Sequence, residues 1–277
     1  MSTEQPPLAA VLGWPIGHSR SPRLHGTWLR RYGIAGYYIP VALAPEDLAT
    51  GLDALQRLGF RGCNVTIPHK EAALALATER TEIAELIGAA NTLTFGSSGI
   101  HADNTDGYGF LENLHQAVPA WRAAAGPALI LGAGGASRAV IAALLAEGAP
   151  EIRIANRTEI RARALRDHFG PRLEVVDWVG ASEAMEGATT IVNCSALGMA
   201  GQPALDISLD RAPSGALVTD IVYQPLQTPL LEAAAARGLR TVDGLGMLLH
   251  QGVPGFERWF GCRPEVDADL RAAVLAE

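Results

Sequence analysis

The alternation of apolar and polar positions along the chain predicts strands and helices in a regular order. An apolar run at 10–13 (Ala10-Val11-Leu12-Gly13) reads as a strand, a turn-rich loop follows, residues 22–32 are amphipathic, and 37–41 form a second apolar strand. That is a βαβ opening. Pro45 begins a helix to about residue 58, because Leu48, Leu52 and Leu55 recur at helical spacing, and Gly59 closes it. A short strand at 62–65 precedes another helix from about His69. Segments 91–95 and 99–103 flank a Gly-Ser-Ser-Gly turn and predict a hairpin, after which Asp106 caps a helix to about Gln116.

Residues 119–127 are small and turn-forming and predict a connection to a second lobe. There the pattern gives strand 128–131, helix 137–147, strand 151–154, helix 159–169, and strands at 173–176, 190–193 and 217–220. Strands alternating with helices imply a doubly wound parallel sheet. After 241–244, helical segments 245–259 and 266–277 have no strand to pair with and are expected to pack on the first lobe. The fold class is therefore α/β, two-lobed, with residues 1–106 completed by 245–277 as one domain and 107–244 as the other.

Composition narrows the partners. At 277 residues, with domains of roughly 150, the chain has room for two cores. Its 48% hydrophobic and 18% charged residues suit a globular chain rather than a disordered one. With 22 basic and 29 acidic residues the net charge is −7, which argues against nucleic acid or an anionic bilayer as partner. The most apolar stretch, 128–146, is interrupted by Gly132, Gly134, Gly135, Ser137 and Arg138, so no membrane span is expected. Residues 1–10 lack the basic start and apolar core of a secretory leader, and a cytoplasmic address is expected. Cys63, Cys194 and Cys262 form no CxxC pair, and the seven histidines show no metal-ligand spacing, so free thiols and no metal are expected.

The candidate chemistry begins with Gly132-Ala133-Gly134-Gly135-Ala136-Ser137, which ends one predicted strand and opens a helix. Glycines allow the tight turn, and a helix N-terminus offers free N–H groups to a pyrophosphate, so the second lobe reads as Rossmann-like. Ser137 stands where a third glycine or an alanine is usual, and a purely structural turn is the alternative. At the end of the next strand, where an acid would hold a ribose 2′-hydroxyl, the chain has Asn156-Arg157-Thr158 and then Arg161. Arginines attract a 2′-phosphate, which favours NADP; a Thr-capped helix with solvated arginines is the other reading.

In the first lobe Ser19 and Ser21 present two hydroxyls in the loop after the first strand and could donate to a carboxylate, although Ser21 could equally cap a helix with Pro22 following. Lys70 falls in the first turn of a helix, where the macrodipole disfavours a cation, so either it is solvated or chemistry keeps it there. Asn91 and Asp106 lie at strand and helix edges of the same lobe, and Asp106 alone could be a simple cap.

Taken together, Gly13-Trp14-Pro15-Ile16-Gly17-His18-Ser19-Arg20-Ser21-Pro22, Asn64-Val65-Thr66-Ile67-Pro68-His69-Lys70, Asn91-Thr92, Asn104-Thr105-Asp106-Gly107, the glycine turn to Arg138, Asn156-Arg157-Thr158 and Asp243-Gly244-Leu245-Gly246-Met247 resemble the shikimate dehydrogenase family over essentially the whole chain. The resemblance implies NADP-dependent, reversible reduction of 3-dehydroshikimate to shikimate in aromatic amino-acid (chorismate) biosynthesis. It implies that Ser19, Ser21 and Tyr223 hold the substrate carboxylate, and that Thr66, Lys70, Asn91, Asp106 and Gln251 surround the ring hydroxyls. Lys70 and Asp106 would be the catalytic pair, with Gly244 and Met247 joining Gly132 to Ser137, Asn156, Arg157, Thr158 and Arg161 at the cofactor. Two departures are visible: His69 where Phe or Tyr is common, and Ala102 where glycine is frequent. Alternatives are a quinate/shikimate dehydrogenase using NAD, which should show an acid near Asn156, and a non-catalytic NADP sensor on the same fold. With substrate and cofactor on different lobes, a hinged pair is expected, as monomer or homodimer.

Overall fold

Short apolar runs become buried strands, and the amphipathic segments between them become the helices that cover them. The computed structural model describes residues 5–276, so part of the N-terminal stretch 1–10 and the last residue of the expected final helix lie outside the described residues. The chain divides into two compact units, residues 1–105 with 249–277 and residues 106–248. These divisions fall one residue before and four residues after those expected from the sequence.

Unit 1 contains β1 (Leu8–Gly13), α1 (Ser21–Arg31), β2 (Tyr37–Ala42), α2 (Leu48–Arg57), β3 (Phe60–Val65), α3 (Lys70–Leu76), β4 (Glu79–Arg80), α4 (Glu82–Ile87), β5 (Thr92–Gly96) and β6 (Gly99–Asp103). Its six-stranded sheet has the order β2-β1-β3-β5-β6-β4. The β1–β2, β1–β3 and β4–β6 pairs are parallel, and β3–β5 and β5–β6 antiparallel. Leu12, Leu48, Leu52, Val65 and Leu93 belong to one of its cores. Around Trp28, Phe256 and Trp259 lies an aromatic cluster.

Unit 2 begins with α5 (Asp106–Ala117), then β7 (Ala128–Leu131), α6 (Gly135–Ala146), β8 (Ile152–Ala155), α7 (Glu159–Phe169), β9 (Leu173–Val176), β10 (Thr190–Asn193), β11 (Leu217–Asp220), α8 (Pro229–Ala236) and β12 (Arg240–Val242). Its sheet is parallel throughout, in the order β12-β11-β10-β7-β8-β9. Numbered within the unit, that is the doubly wound order 3-2-1-4-5-6 in reverse. Both faces are covered, which is why β7 is apolar at every position: Ile130 joins the core with Val140 and Leu144, while Leu129 and Leu131 join the one with Val218 and Leu230. Helix α9 (Leu245–Phe260) starts in unit 2 and ends in unit 1, and α10 (Ala268–Leu275) lies along α1, where Arg20 donates to the Val274 carbonyl at 2.6 Å and Arg31 pairs with Asp267.

Several expectations are corrected. The stretch after His69 is two helices, not one. Thr78 N–H turns to the Ile100 carbonyl, β4 pairs with β6, and the Thr81 side chain caps α4 by accepting from Ala84 N–H. Helix α8 was not anticipated; Thr228 caps it and Pro229 opens it. Ser21 is the first residue of α1 rather than its cap, since Arg20 takes that place. Asp106 lies within the first turn of α5 rather than ahead of it.

Gly132 joins β7 to the turn before α6 at φ +111°, and a Cβ there would stand 2.9 Å from the Ser195 backbone nitrogen. Gly132→Ala is therefore expected to lower unfolding stability by roughly 1–3 kcal/mol, read from urea denaturation; a change within experimental scatter would show that the turn tolerates a side chain.

Candidate functional site

Two of the first lobe's candidate residues, Asn91 and Gln251, lie in a buried hydrogen-bonded cluster. Thr105 N–H donates to Asn91 Oδ1 at 2.8 Å, and this main-chain donor fixes the Asn91 amide. Asn91 Nδ2 then donates to Gln251 Oε1 at 3.2 Å and to Thr105 Oγ1 at 3.0 Å, while the Thr105 hydroxyl donates to the Gln251 carbonyl at 2.8 Å. Asn64 Nδ2 donates to the Asn91 carbonyl and to Thr92 Oγ1, and its Oδ1 accepts from the Tyr38 hydroxyl at 2.7 Å. Lys70, half-buried at the first position of α3, is tied to the same segment because Ala90 N–H donates to its carbonyl. Asp106 follows Thr105 directly and is half-buried.

The structure thus brings Asn91, Gln251 and the Lys70 main chain together. Ser19 and Ser21 are close to each other, with Ser21 N–H donating to Ser19 Oγ at 3.3 Å. Thr66 is half-buried after β3, where its N–H donates to the Leu12 carbonyl. His69, in place of an aromatic, is buried and contacts the Leu43 carbonyl through Nε2 at 2.8 Å. Tyr38, Asn64, Thr92 and Thr105 were not singled out from the sequence. Asn64, Thr92 and Thr105 stood in the motifs that carry the resemblance without a role of their own, and Tyr38 showed no signal beyond its strand. Asp103 anchors the end of β6, accepting from Thr81, from Asn104 N–H and from Arg258 at 2.6 Å.

In unit 2 the glycine turn is open. A Cβ at Gly134 or Gly135 would meet nothing within 4 Å, and Gly135 and Ala136 begin α6, where N–H groups have no intrahelical partner. Ser137 is fully buried, yet its hydroxyl is satisfied inside the turn, donating to the Gly132 carbonyl at 2.8 Å and accepting from Gly134 N–H at 3.1 Å. That explains how a serine replaces the usual small residue. Asn156 ties the neighbouring loop to this turn: its Oδ1 accepts from Ala133 N–H and its Nδ2 donates to the Thr158 carbonyl. Thr158 takes the cap position of α7 without a capping side-chain bond. Arg157 and Arg161 are exposed. Among the described residues neither has an ion pair, whereas Arg153 and Arg163 are held by Glu151 and Glu159. Tyr223 and Met247 are half-buried, and Gly244 packs so closely on the 221–222 main chain that a Cβ would overlap it. An open cradle of N–H groups beside two unpaired guanidiniums fits a phosphorylated dinucleotide.

Below these loops Asp220 is buried, and burial pushes its pKa up against the hydrogen bonds from Val222 N–H, Asn193 and Thr228. Among the described residues no group of three or more His, Cys, Asp or Glu could hold a metal ion, and no helix is long and apolar enough to cross a membrane.

A parallel sheet of this order, with an open glycine turn after its first strand, defines a dinucleotide-binding α/β chain. Family models agree in detail: residues 11–93 match the shikimate dehydrogenase substrate binding domain, 115–198 match shikimate / quinate 5-dehydrogenase, and 244–274 match the shikimate 5′-dehydrogenase C-terminal domain. The chain is 60% identical over 271 residues to shikimate dehydrogenase (NADP(+)) of Paracoccus denitrificans, covering 98% of this chain and 96% of that one. It is 61% identical over 271 residues to the protein of the same name from Cereibacter sphaeroides, covering 98% and 97%. Among solved structures, quinate dehydrogenase from Corynebacterium glutamicum in complex with NAD matches with a TM-score of 0.90 at 32% identity, covering 98% and 99%. Shikimate 5-dehydrogenase from Thermus thermophilus, in complex with NADP(H) and shikimate, matches with a TM-score of 0.86 at 38% identity, covering 97% and 98%. The chain belongs to the shikimate dehydrogenase family.

Two buried histidines give a pH signature. Burial holds His25 at about 3 and His250 at about 4, against an ordinary value of 6.5. The unfolded chain takes up these protons first, so their neutral burial stabilises the fold above 6.5 and that contribution is lost as pH falls towards the folded values. His25→Phe should therefore gain stability relative to the wild type by roughly 1.4 kcal/mol per pH unit between pH 6 and 4, and a difference independent of pH in urea titrations would contradict it.

Proposed function

We propose that this chain catalyses the NADPH-dependent, reversible reduction of 3-dehydroshikimate to shikimate, a step of aromatic amino-acid (chorismate) biosynthesis. The observation that carries this reading is the 60% identity to NADP-dependent shikimate dehydrogenases over 98% of the chain. Unit 1 would bind substrate and unit 2 the dinucleotide. Gly132 to Ser137 and the first turn of α6 would hold the pyrophosphate, with Asn156, Thr158, Gly244 and Met247 shaping the cofactor's surroundings. Arg157 and Arg161 would hold the 2′-phosphate. When bound, NADPH supplies the hydride for C3 of the substrate.

The chain's own residues bind, orient and move the proton. Ser19, Ser21 and Tyr223 donate to the ring carboxylate, and Thr66, Asn91 and Gln251 hydrogen-bond the ring hydroxyls. Asn91 holds Gln251 Oε1, which turns the Gln251 NH2 into the donor side of that amide. As negative charge develops on the ketone oxygen, Lys70 donates the proton and Asp106 acts as its acidic partner. Reading the cofactor as NADP rather than NAD rests on the absence of an acid in Asn156-Arg157-Thr158. That absence separates this chain from the NAD-using quinate/shikimate alternative, and the presence of both Lys70 and Asp106 argues against a non-catalytic sensor.

The deciding assay follows reduced-nicotinamide absorbance with shikimate or quinate, each paired with NADP or NAD. Turnover is expected chiefly with shikimate and NADP, and preference for quinate with NAD would overturn the reading. Lys70→Ala should lower kcat by about 100-fold or more with little change in KM, and a loss confined to KM would remove Lys70 from the proton transfer. Arg157→Ala should raise the KM for NADPH by roughly tenfold while leaving that for NADH unchanged, and equal effects on both would refute the phosphate assignment.

A further inference from the structure

His69 places an imidazole immediately before Lys70, at a position where Phe or Tyr is common. The ring is buried, and its Nε2 lies 2.8 Å from the Leu43 carbonyl oxygen. A carbonyl can only accept, so Nε2 carries the hydrogen and donates it. Among the described residues no other donor reaches that oxygen. A phenyl ring would fill the same space and leave the carbonyl without a partner.

Leu43 is the first residue beyond β2, and its N–H donates at 3.2 Å to the carbonyl of Gly13, the last residue of β1. Its side chain rests on Gly51 of α2, where a Cβ would stand 2.6 Å from Leu43 Cδ2. On the other side of β1, Thr66 N–H donates to the Leu12 carbonyl at 2.9 Å and Trp14 N–H to the Ile67 carbonyl at 3.1 Å. The main chain therefore laces the end of β1 to the segments after both of its neighbours. Those neighbours, β2 and β3, share no ladder, because β1 lies between them. The His69 ring bridges them past the end of β1, and among the described residues it makes the one hydrogen bond between segments 42–44 and 66–70.

His69 also holds the cap position of α3, yet its side chain makes no capping bond there. Its main chain joins the helix, with its N–H donating to the Thr66 carbonyl at 2.9 Å and its carbonyl accepting from Ala73 N–H at 2.8 Å. The side chain is spent on Leu43 instead. The next carbonyl, that of Lys70, accepts from Ala90 N–H at 2.9 Å. The start of α3 is thus held by two bonds, one from the segment before β5 and one to the segment after β2.

We propose that His69 is a positioning residue for the proton transfer: its Nε2–H bond to Leu43 pins the first turn of α3, and with it the main chain that carries Lys70. The proposal rests on the reading of Lys70 as proton donor made above, and it adds what holds that donor in place. The requirement is for a donor at the Nε2 position and not for a ring.

The test is steady-state kinetics with shikimate and NADP on the wild type, His69→Phe, His69→Gln and His69→Asn, with urea denaturation of each. Glutamine sets an amide NH2 where Nε2 stands, whereas asparagine reaches only as far as Nδ1. His69→Phe and His69→Asn should lower kcat by about tenfold, the scale of a small misplacement of a reacting group, and leave the KM for NADP unchanged. His69→Gln should recover most of that loss. In a Lys70→Ala background His69→Phe should lower kcat no further, because it acts through Lys70. Long-range proton–nitrogen spectra of the wild type should show the hydrogen on His69 Nε2. A packing role would shift the urea midpoint while leaving kcat unchanged, or would make Gln and Asn equivalent; either result overturns the proposal, as does a bare Nε2. Should His69→Phe fail to fold, the contrast between Gln and Asn carries the same decision. If shikimate is turned over but the variants behave alike, the His69 assignment alone is lost. If the wild type does not turn over shikimate, the reading of Lys70 fails and the proposal falls with it.

Discussion

One main-chain donor, the Thr105 N–H, sets the direction of the polar cluster in unit 1. Because it can only donate, Asn91 Oδ1 must face it, and Asn91 Nδ2 must face Gln251 Oε1. The Asn91 carbonyl likewise fixes the Asn64 amide, and through it the Tyr38 hydroxyl. Two amides that could each be flipped in isolation are held one way by two backbone groups. An aspartate at position 91 could accept from Thr105 but would set a second acceptor against Gln251 Oε1. The asparagine is required for its two-sidedness, not for its polarity.

That constraint begins in the sheet. Val65 N–H donates to the Asn91 carbonyl and Asn91 N–H to the Asp103 carbonyl, so the ends of β3, β5 and β6 are knitted at one level. Arg258 closes the arrangement by pairing with Asp103, whose other oxygen takes Thr81 and Asn104. The ion pair is partly exposed at the arginine, so its Coulombic worth is modest. Its effect is positional: it fixes the strand end from which Thr105 and then Asp106 follow.

How much of this was legible in the sequence depended on whether a residue's role is local. Strands 128–131, 173–176, 190–193 and 217–220 coincide with β7, β9, β10 and β11: β7, β10 and β11 are buried at every position and so carry short apolar runs, and β9, at the sheet edge, keeps Leu173, Val175 and Val176 around an exposed Glu174. β4 was illegible, since a two-residue strand of exposed Glu79 and Arg80 has no burial pattern to display. α8 was not anticipated, although Thr228-Pro229 is a cap followed by a first-turn proline. The glycine turn was readable because its signal is contiguous. Tyr38 and His25 were not: Tyr38 looks like any strand aromatic and His25 like any helix-face residue, and only the fold sets Tyr38 against Asn64 and stacks His25 on Tyr38.

Unit 2 separates its polar groups into those the protein satisfies and those it does not. Asp220 accepts from Asn193, Val222 and Thr228, and Asn193 accepts from Ser195 while donating to the Leu197 carbonyl, so the segments after β10 and β11 are braced from beneath. A carboxylate suits this post because it can only accept and three donors converge on it, which offsets the burial that pushes its pKa up. Ser137 and Asn156 are likewise spent on the turn itself. What remains unspent is the first-turn N–H pair of α6 and the guanidiniums of Arg157 and Arg161, all donors and all where a parallel sheet presents its strand ends. A frame that consumes its own buried acceptors and leaves these donors outward suits an anion, and two arginines without an ion pair beyond the glycine turn would suit one with an extra phosphate.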